Sequence, residues 1–168
     1  TAQGAINTSA WCAYQHLPLP LVWVCEDNGI GISTRTPKGW IAANFSNKPG
    51  LKYFFCDGLN LLDTYQTTQA AMAYARQKQK PVFLHIRTIR LLGHAGSDVE
   101  IVYRNKKDIV ATERQDPLLH TARILIENNI LTSEKIVQLY QNIHERIIRI
   151  GEEVIQAPKL NSAQEVMA

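Results

Sequence analysis

Two stretches of this sequence hold residue types that can do chemistry at close quarters. The first is Val24-Cys25-Glu26-Asp27-Asn28-Gly29-Ile30-Gly31-Ile32-Ser33-Thr34. An uncharged apolar run, Leu17 to Cys25, leads straight into it and reads as a buried parallel strand. An acid pair, an amide and two glycines then follow at once, where the carboxyl end of a strand in an open α/β sheet meets a ligand crevice. A hard cation such as Mg²⁺ takes oxygen ligands, few from protein and the rest from phosphate or water. The Asn28 carboxamide and the Ile30 carbonyl, two residues on, can supply neighbouring ligands from one tight turn. Gly29 and Gly31 let the backbone come close to a phosphate. Asn28 is therefore read as holding the metal and diphosphate of a cofactor. The alternative is a turn whose Asn only caps backbone. Gly29-x-Gly31 as the start of a dinucleotide loop is disfavoured, because the third glycine and a following helix are missing.

The second stretch is Arg90-Leu91-Leu92-Gly93-His94-Ala95-Gly96-Ser97-Asp98, just past another apolar run. If both strands are parallel, it opens on the same sheet edge as Asn28. Arg90 can fork two donors onto a diphosphate. His94, between Gly93 and Gly96, is a candidate proton or hydrogen-bond donor near neutral pH, against the reading of a bystander on a surface loop. His16, His85, His120 and His144 fall in helix or strand contexts and are read as structural. Asp57-Gly58 ends a further apolar run and is expected to cap the helix that starts near Leu61.

The elements needed to position these residues follow in order. Residues 2–16 read as a helix with small residues on its apolar stripe, broken by Leu17-Pro18-Leu19-Pro20. Strands are expected at 21–25, 51–56 and 82–86, and a helix at 61–79. Residues 33–37 are expected to be extended, because Pro37 biases its neighbour away from helix. Residues 38–47 are left open between a short helix and a loop. A Gly-bearing loop runs from Leu91 to Asp108, long enough to suggest a functional role. Amphipathic helices are expected at about 117–129 and 132–156, the second capped by Thr132 or Ser133. This order is βαβ grammar: an α/β fold, a parallel sheet flanked by helices on both faces, then C-terminal helices. Residues 1–157 are taken as one partial domain and 158–168 as a linker to a following part. The start at Thr1, inside a helix, suggests a fragment of a longer protein.

Composition narrows the classes. The chain has 168 residues, 45% hydrophobic and 20% charged, which suits one globular domain and excludes a disordered chain. Its net charge of +3 is mild, and the short cluster Arg104-Asn105-Lys106-Lys107 reads as a solvated helix start, so no nucleic-acid partner is expected. No apolar run reaches the ~20 residues of a membrane span, and no membrane association is expected. Cys12, Cys25 and Cys56 form an odd set, two of them within strands, which points to reduced thiols in a cytoplasm.

Taken together, these motifs resemble a known family. Glu26 to Thr34 resembles the second half of the thiamine diphosphate motif in the α part of 2-oxo acid dehydrogenases, the decarboxylating first components of the pyruvate, branched-chain and 2-oxoglutarate dehydrogenase complexes. Cys56-Asp57-Gly58-Leu59-Asn60 is similar to that family's Asp-Gly turn. Thr88 to Asp98, followed by Tyr103-Arg104, is similar to its cofactor loop, and Asp116-Pro117 and Leu131-Thr132 continue the pattern. The resemblance implies thiamine diphosphate and Mg²⁺ as cofactors. It implies that Asn28 binds the metal by its side chain and Ile30 by its carbonyl, with Gly29 and Gly31 against the diphosphate and Arg90 holding it. It also implies that His94 orders the loop and assists acyl transfer to a lipoyl group. The expected partners are the β part of the enzyme, fused or separate, and the lipoyl domain of the acyltransferase component, in an oligomer.

The departures from the family pattern matter. Asp27 stands where the family has Asn, and is expected to stay out of direct contact with the metal. Ala95 and Val102 occupy places where kinase-regulated relatives carry serines, so that regulation is not expected. The Gly-Asp half of the motif, with the third metal ligand, and the Glu that activates the cofactor are expected outside this chain. The chain alone is therefore expected to be inactive. A transketolase-like thiamine enzyme and a non-catalytic assembly or docking module are the competing readings.

Overall fold

The structure is a computed structural model and describes residues 3–167. It holds α1 (Gln3–Tyr14), β1 (Val22–Asp27), β2 (Ile30–Gly31), β3 (Thr34–Arg35), α2 (Trp40–Phe45), β4 (Lys52–Asp57), α3 (Leu61–Lys78), β5 (Val82–Arg87), α4 (Lys106–Glu113), α5 (Pro117–Glu127), α6 (Ser133–Ile155) and α7 (Ala163–Met167). The chain divides inside α5 into two compact units, 1–121 and 122–168.

The first unit is built on a three-stranded sheet in the order β1-β5-β4, both pairings parallel, as the βαβ order requires. β5 is central, and its Val82, Phe83, Leu84 and His85 are buried. The outer strands alternate, leaving Val24 56% and Phe55 51% exposed. Only the central strand is thus covered on both faces, narrower cover than the apolar runs suggest. On one face α3 lays Ala71 and Ala75, one turn apart, against Cys56, Val82 and Leu84. Small side chains let that helix approach the sheet closely.

On the other face the Phe45 ring of α2 stacks on Phe83 at 4.1 Å. The Trp23 indole donates to Ser9 Oγ of α1 at 2.9 Å. Gly50 has φ +82°, and a Cβ there would stand 2.1 Å from the Ala10 carbonyl oxygen, so only glycine fits.

Several local expectations change. β1 runs through Glu26 and Asp27, so the acid pair lies within the strand. Within the stretch expected to be extended, 33–37, Thr34–Arg35 is a strand, and it pairs back on Ile30–Gly31 as a tight hairpin, β2 against β3, which the pattern did not suggest. Residues 38–47 contain the helix α2. Asp57 does not cap α3. Asn60 does, accepting from the Leu62 and Asp63 amides, while Asp57 binds Arg87. The 91–108 loop is cut short by α4, which Asn105 caps. The helix start expected at Arg104-Asn105-Lys106-Lys107 is borne out by α4.

In the second unit, Thr132 caps α6 as expected. The tail carries the short helix α7, with Ser162 Oγ accepting from the Glu165 amide. Among the described residues no helix is long and apolar enough to cross a membrane.

Candidate functional site

Parallel register sets the site. Asp27, Arg87 and Asp57 stand level at the carboxyl ends of the three strands. Whatever follows β1 and β5 therefore emerges on one edge, as the crevice rule for such sheets requires. Asn28 is the first residue after β1, and Arg90 the third after β5.

The turn after β1 is locked by short-range bonds. Asp27 Oδ1 accepts from the Gly29 amide at 2.9 Å, and Asn28 Oδ1 from the Ile30 amide at 3.0 Å. Gly29 sits at φ +71°, where glycine is the residue without penalty. Gly31 lacks this need: a Cβ there would stand 4.0 Å from the Thr34 carbonyl oxygen, an ordinary contact. The hairpin turns at Ile32, which holds φ +54°, an unusual value for a β-branched residue.

Arg90 ties this turn to the loop after β5. Its Nη1 donates to the Ile32 carbonyl at 2.7 Å and its Nη2 to the Tyr103 hydroxyl at 2.6 Å. Tyr103 donates in turn to Asp98 Oδ2 at 2.6 Å, and the His94 amide donates to the same oxygen at 2.7 Å. These two donors hold the Asp98 carboxyl below its ordinary range, and the Asp98 carboxylate pushes the Tyr103 hydroxyl up. Arg90 Nε is buried without a partner.

Asn28, Gly29, Ile30 and Arg90 line one cavity of about 300 Å³. Arg35 and Arg104 join Arg90 in its wall, against one carboxylate, Asp108. Arg35 reaches Asp108 at 3.8 Å. Arg104, read from the sequence as part of a solvated cluster, is instead packed down. It pairs with Glu100, and its Nη2 donates to Thr112 Oγ1 at 2.5 Å, with its side chain 11% exposed. Pattern reading missed Arg35 and Arg104. The Tyr103-Arg104 pair, beside the loop motif, was the available signal for the second.

His94 does not line this cavity. Its side chain is exposed, and its fixed contact is through backbone. Asp27 is not among the residues lining this cavity, and its second oxygen, Oδ2, bonds to His85 Nε2 at 3.0 Å.

The donor set suits a metal diphosphate. Three arginines line the cavity, each with a carboxylate near its guanidinium (Arg35 with Asp108, Arg90 with Asp98 at 3.9 Å, Arg104 with Glu100), an arginine N–H is buried unpaired, and an amide oxygen stands at a strand-end turn. Among the described residues no group of three His, Cys, Asp or Glu could hold a metal. The elements that suit a diphosphate, Asn28 and the Ile30 carbonyl for the cation and the arginines for the anion, share one wall.

Comparisons with known proteins agree in kind. The chain is 26% identical over 145 residues to the mitochondrial pyruvate dehydrogenase E1 component subunit alpha of Dictyostelium discoideum, covering 83% of this chain and 38% of that protein. It is 26% identical over 151 residues to the pyruvate dehydrogenase E1 component subunit alpha of Rickettsia typhi, covering 88% of this chain and 46% of that protein. The somatic mitochondrial form from Sus scrofa is 25% identical over 134 residues, covering 77% of this chain and 34% of that protein. The chain thus spans less than half the length of these relatives. Residues 1–163 match the family model described as dehydrogenase E1 component, and with a match of that extent the chain belongs to that family.

Proposed function

We propose that this chain supplies the magnesium diphosphate half of a thiamine diphosphate site. The protein it serves decarboxylates a 2-oxo acid and passes the acyl group to a lipoyl domain. The observation that carries the reading is the convergence of the Asn28 turn and Arg90 on one cavity lined by three arginines. Asn28 Oδ1 and the Ile30 carbonyl would hold Mg²⁺. Arg35, Arg90 and Arg104 offset the diphosphate charge, with the Arg90 fork spent mainly on fixing the hairpin that presents Ile30. When bound, the thiazolium of the cofactor supplies the electron sink, and this chain's residues supply anchoring and orientation.

His94 stands exposed on the loop that Arg90 and Asp98 brace. It is proposed to act toward the acyl acceptor, beyond the diphosphate pocket. The remaining metal ligand, the cofactor-activating carboxylate and the substrate pocket are assigned to other parts of the enzyme, so the chain alone is proposed to be inactive. Its partner surface includes α6, where Ile136, Tyr140, Ile143, Ile147, Ile150 and Val154 recur at alternating four- and three-residue spacing. That stripe supports an oligomer with a β part. The three free thiols support a reducing compartment, proposed as the cytoplasm.

The test is calorimetric titration of the chain with Mg²⁺ plus inorganic diphosphate, then with Mg²⁺ plus thiamine diphosphate. Both should bind. Asn28→Ala and Arg104→Met should each weaken binding by about tenfold or more. The reading is overturned if the unmodified chain binds neither mixture, or if neither substitution changes binding.

A further inference from the structure

His85 is buried, 6% exposed, in the central strand, and both its ring nitrogens are bonded. Nε2 meets Asp27 Oδ2 at 3.0 Å, and Nδ1 meets the Tyr53 hydroxyl at 2.7 Å. The three residues lie on one sheet face, one from each strand. Register pairs Cys25 with His85 and His85 with Phe55, so Asp27 and Tyr53 are reached along a diagonal, two residues away on either side. The Phe55 ring stands edge-on to the imidazole at 5.1 Å and fixes its tilt.

A carboxylate accepts and does not donate. Nε2 therefore carries a proton toward Asp27, and in the neutral ring Nδ1 accepts from the Tyr53 hydroxyl. A nucleophilic role for Tyr53, with His85 as base and Asp27 as orienter, would need an acidified phenol. Burial instead pushes the Tyr53 hydroxyl up, so it stays a neutral donor. What the chain of bonds does is mechanical. With Oδ2 held by His85, Asp27 Oδ1 is aimed at the Gly29 amide, and that bond sets the turn from which Asn28 and Ile30 project.

We infer that His85 is a positioning residue for the Asn28 turn, acting through Asp27 and itself held in one tautomer by Tyr53. The inference rests on the magnesium diphosphate reading of that turn. It also explains how an extra carboxylate is tolerated beside a cation site: the imidazole N–H occupies the oxygen that would otherwise be free to swing toward the metal.

The experiment combines ¹⁵N-histidine NMR, hydrogen exchange at the Gly29 amide, and titration with Mg²⁺ plus inorganic diphosphate. The unmodified chain should show His85 protonated at Nε2 and a protected Gly29 amide. His85→Phe and Asp27→Ala should each speed Gly29 exchange and weaken Mg²⁺-diphosphate binding about tenfold. The double variant should be no worse than the worse single, because both break one chain of bonds. His85→Gln, whose amide N–H can replace the Nε2 proton, should bind within about threefold of the unmodified chain. If His85→Phe fails to fold, Asp27→Asn decides: its amide turns donor, so His85 should switch to the Nδ1-protonated form. Protonation at Nδ1 in the unmodified chain, an unchanged tautomer in Asp27→Asn, or unaltered Gly29 exchange and binding in His85→Phe would each overturn the inference. If the unmodified chain binds no Mg²⁺-diphosphate, the functional reading falls. The tautomer and the Gly29 exchange then still decide whether His85 sets the turn.

Discussion

Arg90 donates to the Ile32 carbonyl at 2.7 Å across 58 residues of sequence, and that bond joins the two polar stretches into one site. Ile32 holds φ +54° at the hairpin tip, a conformation that costs an L-residue about 1–2 kcal/mol. The clamp helps to hold that strain. Ile32→Gly should relieve it and raise stability by about 0.5–1 kcal/mol after the entropy of the added glycine is counted. Urea unfolding monitored by circular dichroism reads the shift. A fall in stability would show that the side chain, 58% exposed, contributes more than the backbone strain costs.

The second prediction concerns acid stability. Arg87 donates to both oxygens of Asp57, and these bonds hold the Asp57 carboxyl below its ordinary value. A carboxyl depressed in the folded state contributes stability above its unfolded pKa, about 4, and loses it as pH falls through the lower folded value. Unmodified chain should therefore lose stability between about pH 4 and the acid side of that range. Arg87→Met should flatten this segment of the profile. Both side chains are more than a third exposed, so the effect will shrink in high salt.

Tyr103→Phe removes the hydroxyl that lies between Arg90 and Asp98. The Asp98 carboxyl should rise toward its ordinary value without reaching it, because the His94 amide and Arg90 remain beside it. Carboxyl ¹³C titration measures this directly. Mg²⁺-diphosphate binding should weaken by about three- to tenfold, since Arg90 loses one of its two anchors.

Gly50→Ala should be among the most damaging single changes. The added methyl would stand 2.1 Å from the Ala10 carbonyl oxygen, at a positive φ as well. A loss of about 2–4 kcal/mol is expected. Urea midpoints should fall with the slope unchanged. A shift under about 0.5 kcal/mol, the range of an inert surface change, would mean that α1 moves off the sheet at little cost.

Much of this molecule is written locally. Apolar runs bounded by proline and glycine marked β1, β4 and β5, and the helical periods of α3, α5 and α6 stood out for the same reason. Asn28 and Arg90 were legible because each is a polar residue just past a buried strand, and parallel topology then forces both to one edge. The 30–35 hairpin was not legible, because its turn uses Ile32 at a positive φ, against every local preference. Asp57 looked like a helix cap and proved to be the partner of Arg87, a residue 30 positions away that only strand register brings level with it.

The sequence by itself determined the three sheet strands to within two residues of their ends, the residue types placed there and the family to which they point, since those follow from short-range pattern and composition. Tertiary structure alone decided which charged groups share a wall and which histidine bonds the acid that precedes the turn. Arg104 looked solvent-borne and is packed against the cavity, while His85, read as structural, is bonded to Asp27, a partner the sequence did not name. The reason is physical: a side chain's partners are set by the register of strands far apart in the chain, and register has no local signature.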